Sequence, residues 1–379
     1  SKTINIVTRP ERRNGQFGKL YGGYGTEERF AAGGVYNIFN NQQRISLLGL
    51  ANNINIQNFS AQDLVGVSSG GGGGGRRGGG FGGGGGRGSF GGGGFGGSAA
   101  SNFLVGNQDG NTRTNSFGIN YSDELSPSFK FTTSYFFNYT NNNTAQLSKR
   151  IYFSDSAAYN LYDEGYISAT QNYNHRFNGR FEYEIDSTSS FLFTPRLSYQ
   201  DNAAQNSLNA LSFTSQNTLL SSARNTYDSD ANAYNFSGDL LYRYKFALQG
   251  RTLSLSVNSS SNNREFTARQ IDTYYGAGAS APELTRTESP VDGSSAGSNI
   301  VYTEPIGDAG IIQLNLNSSF SGSSSNKKLY NVDMTTGMDT SLNQFSSNEY
   351  TNTYVTYKPG ASYRYRDELF NIMAGITYH

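Results

Sequence analysis

The chain has 379 residues, equal numbers of basic and acidic side chains, and neither cysteine nor tryptophan. The lack of Cys excludes disulfides and thiolate chemistry, and the balanced charge gives no sign of a nucleic-acid partner. The mean hydropathy is −0.57, and no run of 18 apolar residues that would predict a transmembrane helix occurs. This composition is still compatible with strands that cross a membrane, since only every second residue of such a strand faces lipid.

Alternation of apolar and polar residues is the main signal along the chain. In 191–200 (FLFTPRLSYQ), the odd positions are mostly apolar and the even positions mostly polar. The preceding segment 176–185 (RFNGRFEYEI) alternates in the same way. Because successive side chains of a strand point to opposite faces, this period of two predicts strands with one apolar and one polar face.

Thirteen strands are predicted on this pattern. Those with definite bounds are about 15–24, 29–39, 43–56, 112–122, 129–140, 176–185, 191–200, 233–246, 299–305 and 350–365. The other three follow the turns at 247–251, 306–310 and 366–368. Several are longer than the usual five or six residues of soluble sheets, and long enough for a tilted membrane crossing.

The predicted connections between strands fall into two classes by length. Short turns are predicted at 40–42, 123–128, 186–190, 247–251, 306–310 and 366–368. Long loops are predicted at 57–111, 141–171, 202–232, 266–298 and 322–348. Every second connection is short, so all the long loops fall at one end. Short periplasmic turns opposite long extracellular loops are typical of up-and-down β-barrels integral to the bacterial outer membrane.

An odd strand count, a start at SKTINIVTRPERRNG without Met or signal peptide, and an end at His379 predict a piece of a longer protein. We therefore expect an incomplete all-β barrel, an open curved sheet of antiparallel strands. The predicted partners of its apolar face are outer-membrane lipid and lipopolysaccharide.

Few residues are candidates for chemistry. The stretch 70–97 is almost all Gly with scattered Arg and Phe, and we interpret it as a disordered insertion in the long loop 57–111 rather than a nucleic-acid arm. His175 lacks a second ligand at metal spacing, so it is expected to be a surface or lumen residue. The Asp/Asn clusters at 106–111 and 227–232 do not follow the spacing of a calcium loop.

The remaining polar and aromatic candidates have structural interpretations. Glu182 and Glu184 are expected to line a polar lumen beside Arg180 and Arg196. No catalytic, cofactor or metal residues are predicted, and the chain is not expected to be an enzyme. The aromatic residues fall into two groups. Tyr121, Tyr139, Tyr199 and Tyr365 are predicted to form interfacial girdles, and Tyr152, Tyr159, Tyr162, Tyr274 and Tyr275 are loop residues that could contact a ligand.

The first residues resemble a known family. Thr3-Ile4-Asn5-Ile6-Val7-Thr8-Arg9, the stretch 10–14 and then FGKLYGGYGTEERFAAGG look like the junction between plug and barrel in TonB-dependent outer-membrane receptors of the Bacteroidetes type. RISLLGLANNINIQNFSAQDL, HRFNGRFEYEIDS and PGASYRYRDELFNIMAGITYH resemble such barrels as well.

The resemblance implies a 22-stranded barrel closed by an N-terminal plug. On this basis 1–14 would be the end of the plug and the linker, and 15–379 a partial barrel. It also implies energised uptake of a scarce nutrient, through an inner-membrane TonB complex that contacts an N-terminal region outside this sequence. The ligand stays unassigned among siderophores, cobalamin, glycans and peptides. A passive porin-like channel, a surface adhesin or structural barrel, and a soluble RNA-binding β-protein are the alternatives.

Overall fold

A computed structural model describes residues 14–56, 110–153, 159–276, 279–307, 309–366 and 370–378. The described residues form 15 strands and no helix. The strands are β1 (Gly15–Tyr24), β2 (Phe30–Asn40), β3 (Gln43–Asn52), β4 (Asn111–Ser126), β5 (Phe129–Phe153), β6 (Tyr159–Glu184), β7 (Ser189–Thr214), β8 (Leu219–Lys245), β9 (Thr252–Gly276), β10 (Glu283–Glu288), β11 (Val291–Ile306), β12 (Gly310–Val332), β13 (Asp339–Leu342), β14 (Asn348–Arg366) and β15 (Asn371–Thr377).

All 15 strands belong to one antiparallel sheet, in which neighbours in sequence are neighbours in space. Thirteen of them form a single path from β1 to β15, and β11 and β13 lie off it. β10 and β11 both pair with β9 and β12, so they are two halves of one strand position. The break between them falls at Pro290, which has no N–H to donate to the ladder. The thirteen predicted positions are therefore present.

The sheet is open. No ladder joins β1 to β15 in the part of the chain that the structure describes. The predicted fold class, an incomplete up-and-down sheet of the barrel type, is confirmed. The predicted plug end and nearly all of the loop 57–111, with its Gly-rich insertion, lie outside the described residues.

The strands are much longer than the sequence pattern predicts. β5 to β9 each contain 25 to 27 residues. The segments 141–171, 202–232, 266–298 and 322–348, predicted as loops, are mostly strand. They are rich in Asn, Ser and Thr on both faces, so they lack the apolar period of two, but their backbones still pair along the ladder. The prediction of irregular loops is therefore wrong for these four segments, which form long β-hairpins instead.

The asymmetry between the two ends of the sheet is nevertheless as predicted. At one end, the short-turn end, strands are joined by 41–42, 127–128, 185–188, 246–251, 307–309 and 367–370. The hairpins all extend from the other end, the hairpin end. The first short turn needs a left-handed residue, and Asn41 supplies it with φ of 54°. No described helix is long and apolar enough to cross a membrane.

Close approach across one ladder requires a glycine. Gly118 of β4 lies opposite Phe136 of β5, whose side chain is only 5 % exposed. A Cβ atom on Gly118 would lie 2.6 Å from Cε1 of Phe136, so the ring occupies the space that a side chain would need. Gly49 on β3 is different, because a Cβ there meets no atom within 4 Å.

We predict that Gly118→Ala lowers the free energy of unfolding by about 1–3 kcal/mol through overpacking against Phe136. Gly49→Ala is the matched control and should leave stability unchanged or raise it by about 0.5–1 kcal/mol, since Ala restricts the unfolded chain. Urea midpoints of the two variants in detergent micelles give the comparison. Equal midpoints for both would show that the Phe136 contact does not constrain the sheet.

Candidate functional site

The two faces of the sheet differ in the polarity of their side chains and in how far these are exposed to solvent. We call the side of Phe181 and Phe193 the apolar face and the opposite side the polar face. Along the apolar face, the rings of Phe131, Phe181 and Phe193 stack in a row across three strands, each 6.3 Å from the next.

Large apolar side chains are exposed on the apolar face, whereas the polar face buries some side chains of both kinds, including the apolar Leu48 and Phe136. On the apolar face, Leu197 and Tyr199 are 47 % and 44 % exposed. On the polar face, Asn37 and Asn52 are 1 % and 0 % exposed. Exposed rows of large apolar side chains mark a surface that needs an apolar neighbour.

The apolar band has a definite height. In β5 it runs from Phe129 to Tyr139, eleven residues, and in β6 from Tyr173 to Tyr183. Eleven residues at about 3.4 Å each, tilted by about 45°, span about 26 Å along the membrane normal. This matches the apolar band of about 25 Å found on outer-membrane barrels. The rest of each long strand extends beyond the band at the hairpin end.

Aromatic and polar-aromatic rings mark the hairpin end of this band. The Tyr139 and Tyr173 rings lie 4.6 Å apart on adjacent strands. The predicted girdle residues all fall on the apolar face by register, Tyr139 and Tyr199 toward the hairpin end and Tyr121 and Tyr365 toward the short-turn end. His175 also belongs to this face rather than to a lumen. Its Nδ1 lies 2.8 Å from the Tyr135 hydroxyl, and its ring packs 5.0 Å from Phe137.

Charged residues appear beyond the band, among exposed apolar residues such as Leu147 and Phe153. Arg286 of β10 forms hydrogen-bonded ion pairs with Asp339 of β13 and Glu288, and its guanidinium lies 4.8 Å over the Tyr330 ring. Hydrogen bonding to Asp339, and then to Glu288, raises the pKa of Arg286 above its usual range. The pair with Asp339 joins β10 to β13 beyond the apolar band.

The polar face carries its own network. Its predicted carboxylate–Arg pairing is present for Glu182, whose Oε1 accepts a bond of 2.6 Å from Arg180 Nε on the same strand. Arg196 pairs instead with Asp239 of β8, at 3.3 Å. Short Asn, Ser and Thr side chains bridge the strands elsewhere, for example Ser46 to Asn37 at 2.6 Å.

One aromatic cluster stands on the polar face of the β5–β6 hairpin. Tyr152 and Tyr162 meet edge to face with ring centres 6.3 Å apart, and the Arg150 guanidinium lies 5.7 Å over the Tyr162 ring. The Tyr162 hydroxyl donates to Glu164 at 2.9 Å, and this hydrogen bond raises the pKa of Tyr162. Rings beside a cation and a carboxylate can stack on and hydrogen-bond a ligand that approaches from the hairpin end.

The other predicted loop aromatics do not join this cluster. Tyr159 packs against Phe153 with ring centres 6.4 Å apart. Tyr274 and Tyr275 lie in another hairpin, at the end of β9. The grouping depends on the register of Arg150 against Tyr162, which the sequence alone does not give.

Metal and catalytic sites were not predicted, and the described residues contain no group of three or more His, Cys, Asp or Glu that could hold a metal ion. Residues 227–232 lie within β8. Because side chains alternate along a strand, Asp228 and Asp230 share one face, and Tyr227 and Ser229 lie on the other. Most of the cluster 106–111 lies outside the described residues.

No protein-family model matches the chain, and no curated protein matches it. The geometry of the two faces and the two ends is thus the basis on which a function has to be argued.

A turn at the hairpin end predicts a pH dependence. Asp333, after β12, accepts hydrogen bonds from the Thr336 N–H at 2.7 Å, the Thr336 hydroxyl at 2.9 Å and the Thr335 N–H at 2.9 Å. These bonds, the Thr336 N–H first, lower the pKa of Asp333 below its usual value. Their stabilising effect is therefore complete above the ordinary Asp pKa of about 4 and is lost as the pH falls through the lowered folded value.

We expect the Thr335 and Thr336 amides to be protected from hydrogen exchange at pH 7 and to lose that protection at pH 2, after correction for intrinsic rates. Asp333→Ala should remove the protection at pH 7 as well. Asp333→Asn keeps an acceptor oxygen without the charge, so its protection should be weaker and independent of pH. Protection in the wild type that stays constant to pH 2 would contradict this account of the turn.

Proposed function

We propose that this chain forms part of the membrane-spanning wall of a TonB-dependent outer-membrane receptor, which takes up a scarce nutrient by active transport. The observation that supports this most is the asymmetry of one antiparallel sheet whose apolar band is about 26 Å high. Turns of two to six residues join the strands at one end, and hairpins far longer than a crossing needs extend from the other. A protein whose two ends meet different compartments has this organisation.

The two edge strands favour a sheet with more strands than the described residues contain. β1 and β15 each present one row of backbone N–H and C=O groups without a strand partner in the described residues. Within hydrocarbon, each such group costs several kcal/mol unless it is paired. We infer that further strands pair with both edges in the membrane, as the resemblance to 22-stranded receptors implies.

The hairpins are the part of the protein suited to capture a ligand outside the cell. They extend from a rigid ladder, and the cluster of Arg150, Tyr152, Tyr162 and Glu164 combines ring surfaces with both signs of charge. A siderophore, cobalamin, a glycan or a peptide can each use such contacts, so the substrate class is left to experiment. Lipid and lipopolysaccharide would cover the apolar face.

Deletion of the gene in its native bacterium tests the proposal. The deletion strain and a complemented strain are grown with one nutrient limiting at a time: ferric siderophores, cobalamin, glycans or peptides. We expect the deletion to slow growth on one nutrient class and to abolish cellular accumulation of that radiolabelled nutrient. An uncoupler of the proton-motive force should abolish the accumulation in the complemented strain.

The alternatives give different results in the same assay. Accumulation that depends on the gene but continues in the uncoupler would identify a passive channel. Normal growth on all nutrients, with loss of binding of the cells to surfaces or to other cells, would identify an adhesin. Complementation with Arg150→Ala/Tyr162→Ala should weaken uptake about tenfold or more if the hairpin cluster binds the nutrient, whereas Lys149→Ala, an exposed neighbour on the opposite face, should leave it unchanged.

A further inference from the structure

The apolar face carries a groove of about 590 Å³ across β1 to β4. One row of paired residues crosses the groove, and in strand order it consists of Leu20, Gly34, Gly49 and Phe117, with Phe137 next on β5. Leu20 is 88 % exposed and Phe117 46 %, so their side chains form the two walls. The Leu20 side chain leans over Gly34, whereas a Cβ atom on Gly49 would meet no atom within 4 Å. The space over Gly49 is therefore open.

The groove is closed toward the short-turn end and open toward the hairpin end. On the first side, Tyr36 and the opposite Leu47 are the next residues of the same face and line the groove. On the second side, the floor continues with Ala32 opposite Ala51, and Phe30 follows. A linear apolar chain can lie along this floor with one end at the hairpin end. Because lipid tails are as apolar as the groove, burial alone does not select the occupant in a bilayer.

A cation lies at the open end of the groove. Arg113 is exposed on the same face of β4 as Phe117, and its guanidinium lies 5.9 Å over the Phe30 ring. It is directly opposite Asn141, two residues beyond Tyr139, where the apolar band ends in β5. Two residues of a tilted strand span about 5 Å along the membrane normal, and the headgroup layer outside the hydrocarbon is about 5–7 Å thick. Arg113 is therefore at the level of the lipid headgroups.

A second cation lies beside the first. Arg29 Nη1 donates to Asn111 Oδ1 at 2.6 Å, and Asn111 shares a face with Arg113 two residues along β4, about 7 Å away. Neither arginine forms an ion pair with a carboxylate of the described residues, and Glu27 and Glu28 of the adjoining turn are no exception. Two neighbouring guanidinium groups without a carboxylate suit a phosphate, which accepts paired N–H···O bonds from them.

We propose that the groove and these two arginines, together the lipid A site, bind lipopolysaccharide. An acyl chain of lipid A lies over Gly49, and a phosphate on its disaccharide meets Arg113 and Arg29. The cations favour this occupant over a second copy of the chain, because an isologous contact would bring two such arginine pairs together. The inference rests on the proposed function in one respect, that the hairpin end faces the outer leaflet, and it does not depend on nutrient uptake.

Binding of fluorescent lipid A to the full-length native protein, purified from the outer-membrane fraction in detergent micelles, tests the site. Arg113→Gln removes a charge, and Gly49→Leu fills the groove at a position with room for a side chain. Lys149→Gln is the control for charge, because Lys149 lies on the same face beyond the band but pairs with Asp163. Gly165→Leu is the control for bulk, because a Cβ atom there makes only an ordinary van der Waals contact.

We expect Arg113→Gln and Gly49→Leu each to weaken lipid A binding about tenfold or more, and both controls to bind like the wild type. Removal of the phosphates from lipid A should also weaken its binding to the wild type about tenfold. The same removal should have a smaller effect on Arg113→Gln, since one partner of the phosphate is already lost. Phosphatidylglycerol at an equal concentration should not displace lipid A.

Wild-type affinity in Arg113→Gln, or equal binding of lipid A with and without phosphates, would overturn the proposal. Displacement by phosphatidylglycerol at an equal concentration would overturn it too, since the groove would then accept any anionic lipid. A wild-type dimer in micelles that Gly49→Leu dissociates would identify a second copy as the occupant instead. Absence of the protein from the outer-membrane fraction would refute the proposed function itself, whereas failed binding by protein recovered from that fraction refutes the lipid A site alone.

Discussion

The pairing of backbone hydrogen bonds between neighbouring strands is the constraint on which the rest of this structure depends. Each antiparallel ladder satisfies the N–H and C=O groups of two strands, and sequential pairing repeats this from β1 to β15. Where that pairing is complete, side chains need not be apolar to hold a strand in place. The hairpins continue for this reason through segments that are polar on both faces, such as 202–214 paired with 219–232.

The same constraint accounts for how much of the fold could be predicted from sequence. In β5 to β8 most band residues alternate, with exceptions such as Phe136 and Leu192 on the polar face, so their faces and their positions along the chain could be predicted. Beyond Tyr139 and Tyr173 the apolar residues are scattered, as at Leu147, Ile151 and Ile167, and a strand without regular alternation cannot be told from a loop by periodicity. Pairing register supplied the missing information, and with it the continuity of β10 and β11 across Pro290.

The candidate sites depended still more on register. The placement of Tyr121, Tyr139, Tyr199 and Tyr365 on the apolar face could be predicted because each continues an alternating run, which is a local signal. From the sequence His175 could be assigned only to the surface or the lumen, since the rings around it, Tyr135, Phe137 and Tyr199, lie on the two neighbouring strands.

The central claim is that the sheet separates two compartments, with the hairpins on the outer side. An epitope inserted between Gln216 and Asn217, in the β7–β8 turn, should be labelled by antibody on intact cells. The same epitope between Leu248 and Gln249, in the β8–β9 turn, should be labelled only after the outer membrane is permeabilised. The two sites flank the single strand β8, so they differ in little but the end of the sheet they occupy. Labelling of both sites on intact cells, or of the second site alone, would contradict the account.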